Sequence, residues 1–288
     1  MKLNKVFGFI LFIITFINLN IFPFENQSKK RIVSLGPTAT EILFAIGAEN
    51  QIVARTDICD YPPEVKKIKS VGGFDGKSIS LEAIISFEPD FVYLFSGMHN
   101  HLIQPLKNFG IDVYVSNAFS IEQIKKEILE VGKIIGNYEQ AKKVVLHMEE
   151  KLNKIEKKVL ENRKKFNIIP KVYWEVWNSP LMSIGNKSFI NDLIEKAGAV
   201  NIFSLENSAY PIVTEESIIM AKPDFVFYTS EEQLDRIQKG DSGIHSNWPE
   251  PSYGYFNVGG RDIFSRSSPR CVLALEELVN LIWQQVEK

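Results

Sequence analysis

Hydrophobic and polar positions follow a pattern that occurs twice along the chain. Residues 80–94 read SLEAIISFEPDFVYL and residues 214–228 read TEESIIMAKPDFVFY, with 7 identities in 15 aligned positions. In both, a Ser or Thr suited to capping a helix precedes a short apolar face. Pro-Asp then leads into β-branched and aromatic residues typical of a buried strand. The repeat predicts one helix–strand unit in each of two related halves.

Other segments extend this alternation of strands and helices. The predicted strands are RIVSL (31–35), DVYV (112–115) and KVYWEV (171–176), and the predicted helices are residues 189–198 and 269–286. After the first strand, Thr38-Ala39-Thr40-Glu41 has the pattern of a capping box that starts a helix ending at Gly47. Strands and helices that alternate over short connections predict mainly parallel sheets with helices on their faces.

One long amphipathic helix is predicted between the two halves, over residues 138–166. Its apolar stripe recurs at spacings of 3, 4, 3 and 4 and consists of Val145, Met148, Leu152, Ile155 and Val159. We expect helical ion pairs of Glu139 with Lys143 and of Glu150 with Lys154. A continuous helix of this length, about 43 Å, holds two lobes at a nearly fixed separation. The stripe is too short for a stable coiled-coil dimer, so we expect a monomer.

The chain is therefore predicted to be an α/β protein of two lobes, each with a mainly parallel sheet flanked by helices, joined by one long rigid α-helix. The N-terminal lobe is assigned to residues 30–136, the connecting helix to 137–167 and the C-terminal lobe to 168–288. These lengths are sufficient for each lobe to bury its own core.

The N-terminal residues predict export. Lys2 and Lys5 precede an apolar stretch from Val6 to Phe22, the order of charges and apolar residues found in signal peptides. The stretch is also long enough for an uncleaved membrane anchor. Residues 1–24 are thus a signal peptide or an anchor, and we expect a periplasmic or otherwise extracytoplasmic protein.

Composition and motifs narrow the function. The 288 residues contain 33 Lys plus Arg and 35 Asp plus Glu, for a formal charge of −2, so no basic surface for nucleic acid is expected. Cys59 and Cys271 are compatible with one disulfide or with two buried thiols. The sequence contains no phosphate-binding loop, dinucleotide fingerprint or hydrolase motif, and we expect no enzymatic activity and no catalytic cofactor.

A metal site is not predicted. His99 and His101 come nearest to a ligand cluster, but two histidines two residues apart share a face only in an extended segment. We interpret them as helix-capping or solvated side chains. The alternative from another class is an exported metal-dependent enzyme centred on His99, His101 and Asp262.

Aromatic residues occur at loop positions and at predicted strand ends. Phe74, Phe95, Trp177 and Tyr210 are of this kind. The carboxyl ends of parallel strands are where open α/β sheets bind ligands, and aromatic walls suit a broad ligand with flat or apolar faces. We expect an aromatic-lined cleft between the lobes.

Several of these segments carry a family resemblance. The opening SLGPTATE (34–41), the DYPPEV loop (60–65), the paired EPD and KPD units and the closing SRSSPRCVLALEEL resemble the periplasmic binding proteins with a rigid helical backbone. These receptors hand cobalamin, haem or ferric siderophores to an ABC importer. The resemblance spans roughly residues 30 to 286, and it is nearest to the cobalamin-binding members.

The resemblance implies roles for particular residues. Glu82 and Glu216, at equivalent positions of the repeat, would dock the two lobes on the importer's permease dimer. The ligand cleft would be formed by Thr38, Phe74, Phe95, Tyr210, Asp262 and Arg266. A corrinoid such as cobalamin is the expected ligand, haem or a ferric siderophore is the alternative, and a bare metal ion ranks third.

Overall fold

The computed structural model describes residues 30–73, 78–239 and 250–288. The predicted signal or anchor segment, residues 1–24, lies outside the described residues, as does Phe74. Within the described ranges, no helix combines the length and the apolar character needed to cross a membrane.

The first sheet contains four parallel strands. They are β1 (Ile32–Leu35), β2 (Ile52–Arg55), β3 (Phe91–Phe95) and β4 (Asp112–Ser116), and their order across the sheet is β2-β1-β3-β4. The helices of this half are α1 (Pro37–Ala45), α2 (Leu81–Ile85), α3 (Asn100–Asn108) and α4 (Ile121–Ile134). All residues of β1 are buried, as expected for a strand covered on both faces.

A single helix of 29 residues follows, α5 (Tyr138–Phe166). Its bounds equal those predicted from the apolar stripe. Four residues of the stripe are buried and Leu152 is half-buried, whereas the neighbouring lysines and glutamates mostly face solvent. Glu139 pairs with Lys142 at 2.8 Å rather than with the predicted Lys143. The left-handed residue Asn167 ends the helix.

The second sheet contains five strands. They are β5 (Lys171–Asn178), β6 (Leu181–Ser183), β7 (Val200–Asn201), β8 (Phe225–Tyr228) and β9 (Gly254–Asn257). Strand β5 pairs in parallel with β7 and β8, β8 pairs in parallel with β9, and β6 pairs with β5 in the antiparallel direction. The helices of this half are α6 (Phe189–Lys196), α7 (Glu215–Ala221), α8 (Glu231–Lys239) and α9 (Cys271–Val286). The predicted two-lobed α/β fold is confirmed.

The two repeat units match at the level of individual hydrogen bonds. Ser80 caps α2 and Thr214 caps α7, each by accepting from a backbone N–H three residues later. The Asp90 carboxylate accepts from the backbone N–H of Arg31 at 2.8 Å, and the Asp224 carboxylate accepts from that of Lys171 at 2.7 Å. Each Pro-Asp thus ties the start of its own strand to the start of the first strand of its sheet. The match supports two structurally related halves.

Apolar packing joins the halves. One hydrophobic cluster runs from the first sheet through α4, α5, α6 and α9 to the second sheet. A Cβ placed on Gly132 of α4 would lie 2.4 Å from the Cβ of Ala141, so glycine permits the close approach of α4 and α5. The Trp283 indole donates to the Ala197 carbonyl at 2.8 Å, which fixes α9 against the end of α6. The connecting helix is therefore part of a continuous core. The exact lobe boundaries stay a prediction.

The predicted capping box at residues 38–41 is wrong. Helix α1 begins at Pro37, with Gly36 as its N-cap and no side-chain capping bond. Proline suits the first helical position because its missing N–H would have no helical acceptor there. Gly36 has a φ of +154°, which residues with a side chain rarely adopt. The Thr40 hydroxyl donates to the Gly36 carbonyl, and Glu41 does not take part in capping α1.

Candidate functional site

A cavity of about 350 Å³ lies between the two halves of the molecule. One wall is formed by the carboxyl ends of β1, β3 and β4 together with the first turn of α1. The opposite wall is formed by Tyr210 and by the segment from Asp262 to Arg266, which precedes α9. The position corresponds to the ligand-binding edge of open α/β sheets.

Five of the seven predicted ligand-binding residues line this cavity. They are Thr38, Phe95, Tyr210, Asp262 and Arg266. Phe95 and Tyr210 are 40% and 51% exposed. Each half therefore presents to the cavity an aromatic ring that is not packed in its hydrophobic core. The rings suit a ligand with a broad apolar face. The sixth residue, Phe74, lies outside the described residues.

Trp177, the seventh residue, is placed elsewhere. It lies near the end of β5, is 57% exposed, and its indole N–H donates to the Ser179 carbonyl at 2.8 Å. It pairs across the hairpin with Met182 and is not part of the cavity lining. Its position near a strand end did not reveal that Trp177 lies in the hairpin to β6 and not in the cavity lining.

A second cavity of about 230 Å³ adjoins the first. The two share Tyr210, Asp262 and Ser265, and the second extends along the C-terminal half past Trp174 and Phe264. Trp174 is 2% exposed and stacks on Phe227, so it belongs to the core although it also borders this cavity. The candidate site is therefore one cleft with two connected parts.

Polar groups at the N-terminal wall come from α1 and β4. The first backbone N–H groups of α1 have no intrahelical acceptor, and the residues that carry them, Thr38 and Ala39, line the cavity. Ser116, at the end of β4, is 1% exposed and also lines it. The N–H groups and the Thr38 hydroxyl can donate hydrogen bonds to a ligand without bringing a charge.

A buried carboxyl group lies behind Ser116. Glu127 of α4 is 4% exposed, accepts a hydrogen bond from the Tyr93 hydroxyl and lies against the Ser116 hydroxyl. Burial raises the pKa of Glu127, and the hydrogen bond from Tyr93 opposes the rise. Burial and the neighbouring Glu127 also raise the pKa of Tyr93. The phenol therefore stays protonated and remains a donor.

An ionic network crosses between the halves at the floor of the cleft. Glu41 of α1 is 3% exposed and accepts hydrogen bonds from Arg266, Ser268 and Arg270. The Arg270 guanidinium also lies 3.8 Å from the centre of the Tyr61 ring. A buried carboxylate in this position is compensated by two guanidinium groups from residues more than 220 positions away in sequence.

Arg266 is shared by three carboxylates. Its Nη1 donates to Glu41 at 2.9 Å and to Asp60 at 2.7 Å, and its Nη2 donates to Asp262 at 2.6 Å. The hydrogen bond from Arg266 lowers the pKa of Asp60. Burial alone lowers the pKa of Arg266, but its carboxylate partners outweigh burial and the net pKa is raised. The guanidinium is therefore a fixed cation.

Sequence reasoning missed Glu41, Asp60, Arg270 and Ser116 as components of this site. The available signal lay in the three segments SLGPTATE, DYPPEV and SRSSPR, which supply Glu41, Asp60 and the two arginines and meet at one place. No pattern within any one of these segments indicates that they contact one another in the folded protein.

The predicted docking residues occupy equivalent surface positions. Glu82 and Glu216 are exposed and lie in the first turns of α2 and α7. A carboxylate in a first turn is favoured by the helix dipole. The surroundings of the two glutamates are also equivalent. Each helix is capped by a hydroxyl residue, Ser80 or Thr214, and is followed by a strand, β3 or β8. Their role in docking stays a prediction.

The cysteines and histidines lie as follows. Cys59 and Cys271 are buried free thiols, and burial raises the pKa of Cys271. His99 is buried immediately before α3, and His101 is exposed within it. Over residues 30–73, 78–239 and 250–288, no group of three or more His, Cys, Asp or Glu has a geometry that could hold a metal ion.

A larger cavity of about 410 Å³ lies away from the cleft, between α4, α5 and α6. It is lined by many charged residues, among them Lys125, Glu149 and Arg163, and contains none of the predicted ligand-binding residues. The aromatic side chains that favour a broad ligand are concentrated in the interlobe cleft.

Residues 32–250 match the family described as Periplasmic binding protein. The chain belongs to this family. This periplasmic binding protein is 26% identical over 260 residues to the vitamin B12-binding protein of Vibrio parahaemolyticus, which covers 88% of this chain and 89% of that protein. It is 29% identical over 268 residues to an uncharacterized ABC transporter substrate-binding lipoprotein of Bacillus subtilis, with coverages of 91% and 83%.

Solved structures show the same architecture. The periplasmic haem-binding protein of Vibrio cholerae matches with a TM-score of 0.73 at 22% identity, covering 88% of this periplasmic binding protein and 99% of the other chain. The predicted family and fold are confirmed. The relatives are substrate-binding proteins, which supports a non-enzymatic role and implies a small-molecule ligand and a permease partner.

Proposed function

We propose that this protein captures a cobalamin-like corrinoid in the interlobe cleft and delivers it to an ABC importer outside the cytoplasm. The observation that carries the proposal is the cleft itself, in which Phe95 and Tyr210 face a shared cavity from the two halves of the molecule. A flat macrocycle offers both faces to such rings. The likeness to vitamin B12-binding proteins over nearly the whole chain supports a corrinoid.

Delivery is proposed to use Glu82 and Glu216 as contacts to the permease dimer, with the binding protein acting as a monomer. Exposed carboxylates that meet arginines on a partner set the register and the rate of encounter. Residues 1–24 are proposed to direct export, as a cleaved signal or as an anchor.

The second candidate is binding of haem or a ferric siderophore in the same cleft. It is favoured by the structural likeness to the haem-binding protein of Vibrio cholerae. Both candidates share the fold and the transport role and differ in the ligand alone.

Direct titration tests the proposal. The protein without residues 1–24 is mixed separately with cyanocobalamin, haemin and a ferric siderophore, and binding is measured by isothermal titration calorimetry. We expect one-to-one binding of cyanocobalamin and recovery of the unchanged ligand, judged by its absorption spectrum after denaturation of the protein. Preferred binding of haemin or the siderophore would select the second candidate, and chemical conversion of the ligand would indicate an enzyme. Failure of all three to bind overturns the ligand assignment.

A further inference from the structure

The charges at the floor of the cleft carry information about which ligands it accepts. Two arginines line the cleft among the residues that the structure describes, Arg261 and Arg266. Both are already ion-paired within the chain. Arg261 pairs with Glu277, and Arg266 pairs with Glu41, Asp60 and Asp262. Neither guanidinium is an unoccupied receptor for a ligand anion.

The balance of this cluster is negative. Counting Arg270, which also binds Glu41, three guanidinium groups face four carboxylates, those of Glu41, Asp60, Asp262 and Glu277. Asp262 lines the cleft and is 49% exposed, and Asp60, which is 48% exposed, lies beside the cleft, where it accepts a hydrogen bond from the cleft-lining Arg266. A ligand carboxylate that approached Arg266 would have to displace one of them or become its close neighbour. Like charges in such proximity are unfavourable.

The remaining polar groups of the lining are uncharged. The start of α1 offers backbone N–H groups and the Thr38 hydroxyl, and the Ser265 hydroxyl, which donates to the Asp262 carbonyl, can accept a further hydrogen bond. Such groups hydrogen-bond to the oxygen of a carboxamide, and the N–H groups at the start of α1 can bind a carboxylate as well. Any discrimination against a charged ligand must therefore come from the aspartates. The carboxylate oxygens of Asp60 and Asp262 accept hydrogen bonds from amide N–H groups as well.

We propose that Asp262, together with Asp60, makes the cleft select a macrocycle whose side chains are carboxamides over one whose side chains are carboxylates. The proposal rests on the proposed function and specifies it further. Arg266 serves to hold the two aspartates in place, and the aspartates are the specificity-determining residues. Cyanocobalamin, with carboxamide side chains and no net charge, fits this cleft, and haemin, with two carboxylates, is disfavoured.

Matched ligands provide the test. The separated monocarboxylic acids of cyanocobalamin, in each of which one carboxamide is hydrolysed, differ from the parent by a single negative charge. Their affinities and that of haemin are compared at pH 8 for the wild-type protein, Asp262→Asn, Asp60→Asn and the control Asp112→Asn. Asp112 is an exposed aspartate at the opposite end of β4 and pairs with Lys30. Thermal unfolding verifies that each variant is folded.

We expect the wild-type protein to bind cyanocobalamin about tenfold more tightly than at least one monocarboxylic acid. Asp262→Asn or Asp60→Asn should reduce that ratio to about threefold or less, whereas Asp112→Asn should preserve it. Equal affinities for the amide and every acid in the wild-type protein overturn the proposal, as does a ratio that neither aspartate variant changes. If the wild-type protein binds no corrinoid and no haemin, the proposed function itself fails.

Discussion

At the scale of single residues, the aromatic rings of the cleft are separated from those of the core by their exposure. Trp174 and Phe227 stack on each other and are 2% and 0% exposed, so removing either leaves a hole in the second sheet's packing. Phe95 ends β3 with its side chain 40% exposed in the cavity lining. Its substitution therefore tests ligand binding with little disturbance of the fold.

Phe95→Ala is expected to weaken ligand binding by about 1–3 kcal/mol, the range found for stacking of bases on aromatic side chains. Calorimetric titration with the ligand identified for the wild-type protein measures the change. Phe109→Ala is a matched control, because Phe109 is 64% exposed at the end of α3 and outside the cavity lining. Equal affinities of the wild-type protein and Phe95→Ala would contradict stacking by this ring.

Glu41→Gln is expected to destabilise the protein by about 3–5 kcal/mol. The substitution removes the buried charge that pairs with Arg270 and one of the three carboxylates that bind Arg266, and breaking one side of a buried ion pair is strongly destabilising. Urea unfolding measures the loss. Glu277→Gln breaks the more exposed pair with Arg261 and should cost about 1 kcal/mol or less. Similar losses in the two variants would show that Glu41 contributes no more than a surface ion pair.

These residues also show where sequence reasoning stops. Thr38, Phe95, Tyr210, Asp262 and Arg266 were predicted together from a family resemblance, and the structure brings them to one cavity. Glu41 was interpreted as part of a capping box, because four adjacent residues matched that local pattern. Its real partners are contributed by the segment before α9. Contacts between residues so far apart in sequence leave no local pattern.

At the scale of elements, the periodic helices and strands were the most predictable part of the molecule. The 3.6-residue period over α5 predicted a single amphipathic helix that packs one face on the core, and its predicted bounds, 138–166, are those of the structure. The start of α1 was less predictable, because Gly-Pro and Thr-Ala-Thr-Glu both offer plausible helix starts. The hairpin that contains Trp177 was not predicted, because β6 is only three residues long.

Breaking α5 should test its role as a rigid connection. Glu150→Pro, at an exposed mid-helix position, removes one helical hydrogen bond and introduces a steric clash, at an expected cost of about 3 kcal/mol or more. Glu150→Ala keeps the helix and serves as the control. Urea unfolding measures stability and small-angle X-ray scattering measures the radius of gyration. We expect lower stability and a larger radius of gyration for the proline variant alone. An unchanged scattering profile would show that packing of α4 and α9 holds the halves without α5.

The contact between α4 and the first sheet is expected to depend on pH. Since burial raises the pKa of Glu127 above its ordinary value of 4.5, the folded protein binds this proton more tightly than the unfolded chain does. The stabilisation is complete below about pH 4.5 and is lost as pH rises through the folded pKa. The unfolding free energy of the wild-type protein relative to Glu127→Gln should therefore increase as pH falls from 7 towards 4.5.

Urea unfolding of both proteins at several pH values measures this difference. Glu122→Gln, an exposed residue of the same helix, corrects for general effects of pH on the chain. A difference between wild type and Glu127→Gln that stays constant over the range would exclude Glu127 as the titrating group. A difference that shrinks as pH falls would give the opposite sign and assign Glu127 a lowered pKa.

At the scale of the whole molecule, two related halves share one core and one ionic network. The hydrophobic cluster through α4, α5, α6 and α9 and the bonds from Glu41 to Arg266 and Arg270 cross between them. Extensive contacts of this kind oppose large rotations of one half against the other. A partner must therefore recognise the protein by residues fixed on both halves, and the repeat supplies one such pair in Glu82 and Glu216.

Glu82→Ala combined with Glu216→Ala is expected to abolish stimulation of ATP hydrolysis in an ABC importer that the ligand-loaded wild-type protein activates. Ligand affinity should be unchanged, because both residues are exposed on helices outside the cavity lining. The exposed side chains also make large losses of stability unexpected, typically about 0.5 kcal/mol or less per surface substitution. Importer activity and calorimetric ligand affinity are measured on the same protein preparations.

The control must separate docking from the local role of a first-turn carboxylate. Glu122 and Glu232 are also exposed in the first turns of helices, α4 and α8, one in each half of the chain. Glu122→Ala with Glu232→Ala removes the same charge and the same favourable helix-dipole interaction. If docking depends on position, the importer should respond normally to this control and fail to respond to the first pair. Equal loss in both double variants would mean that net charge governs the encounter, and activity in both would remove Glu82 and Glu216 from the interface.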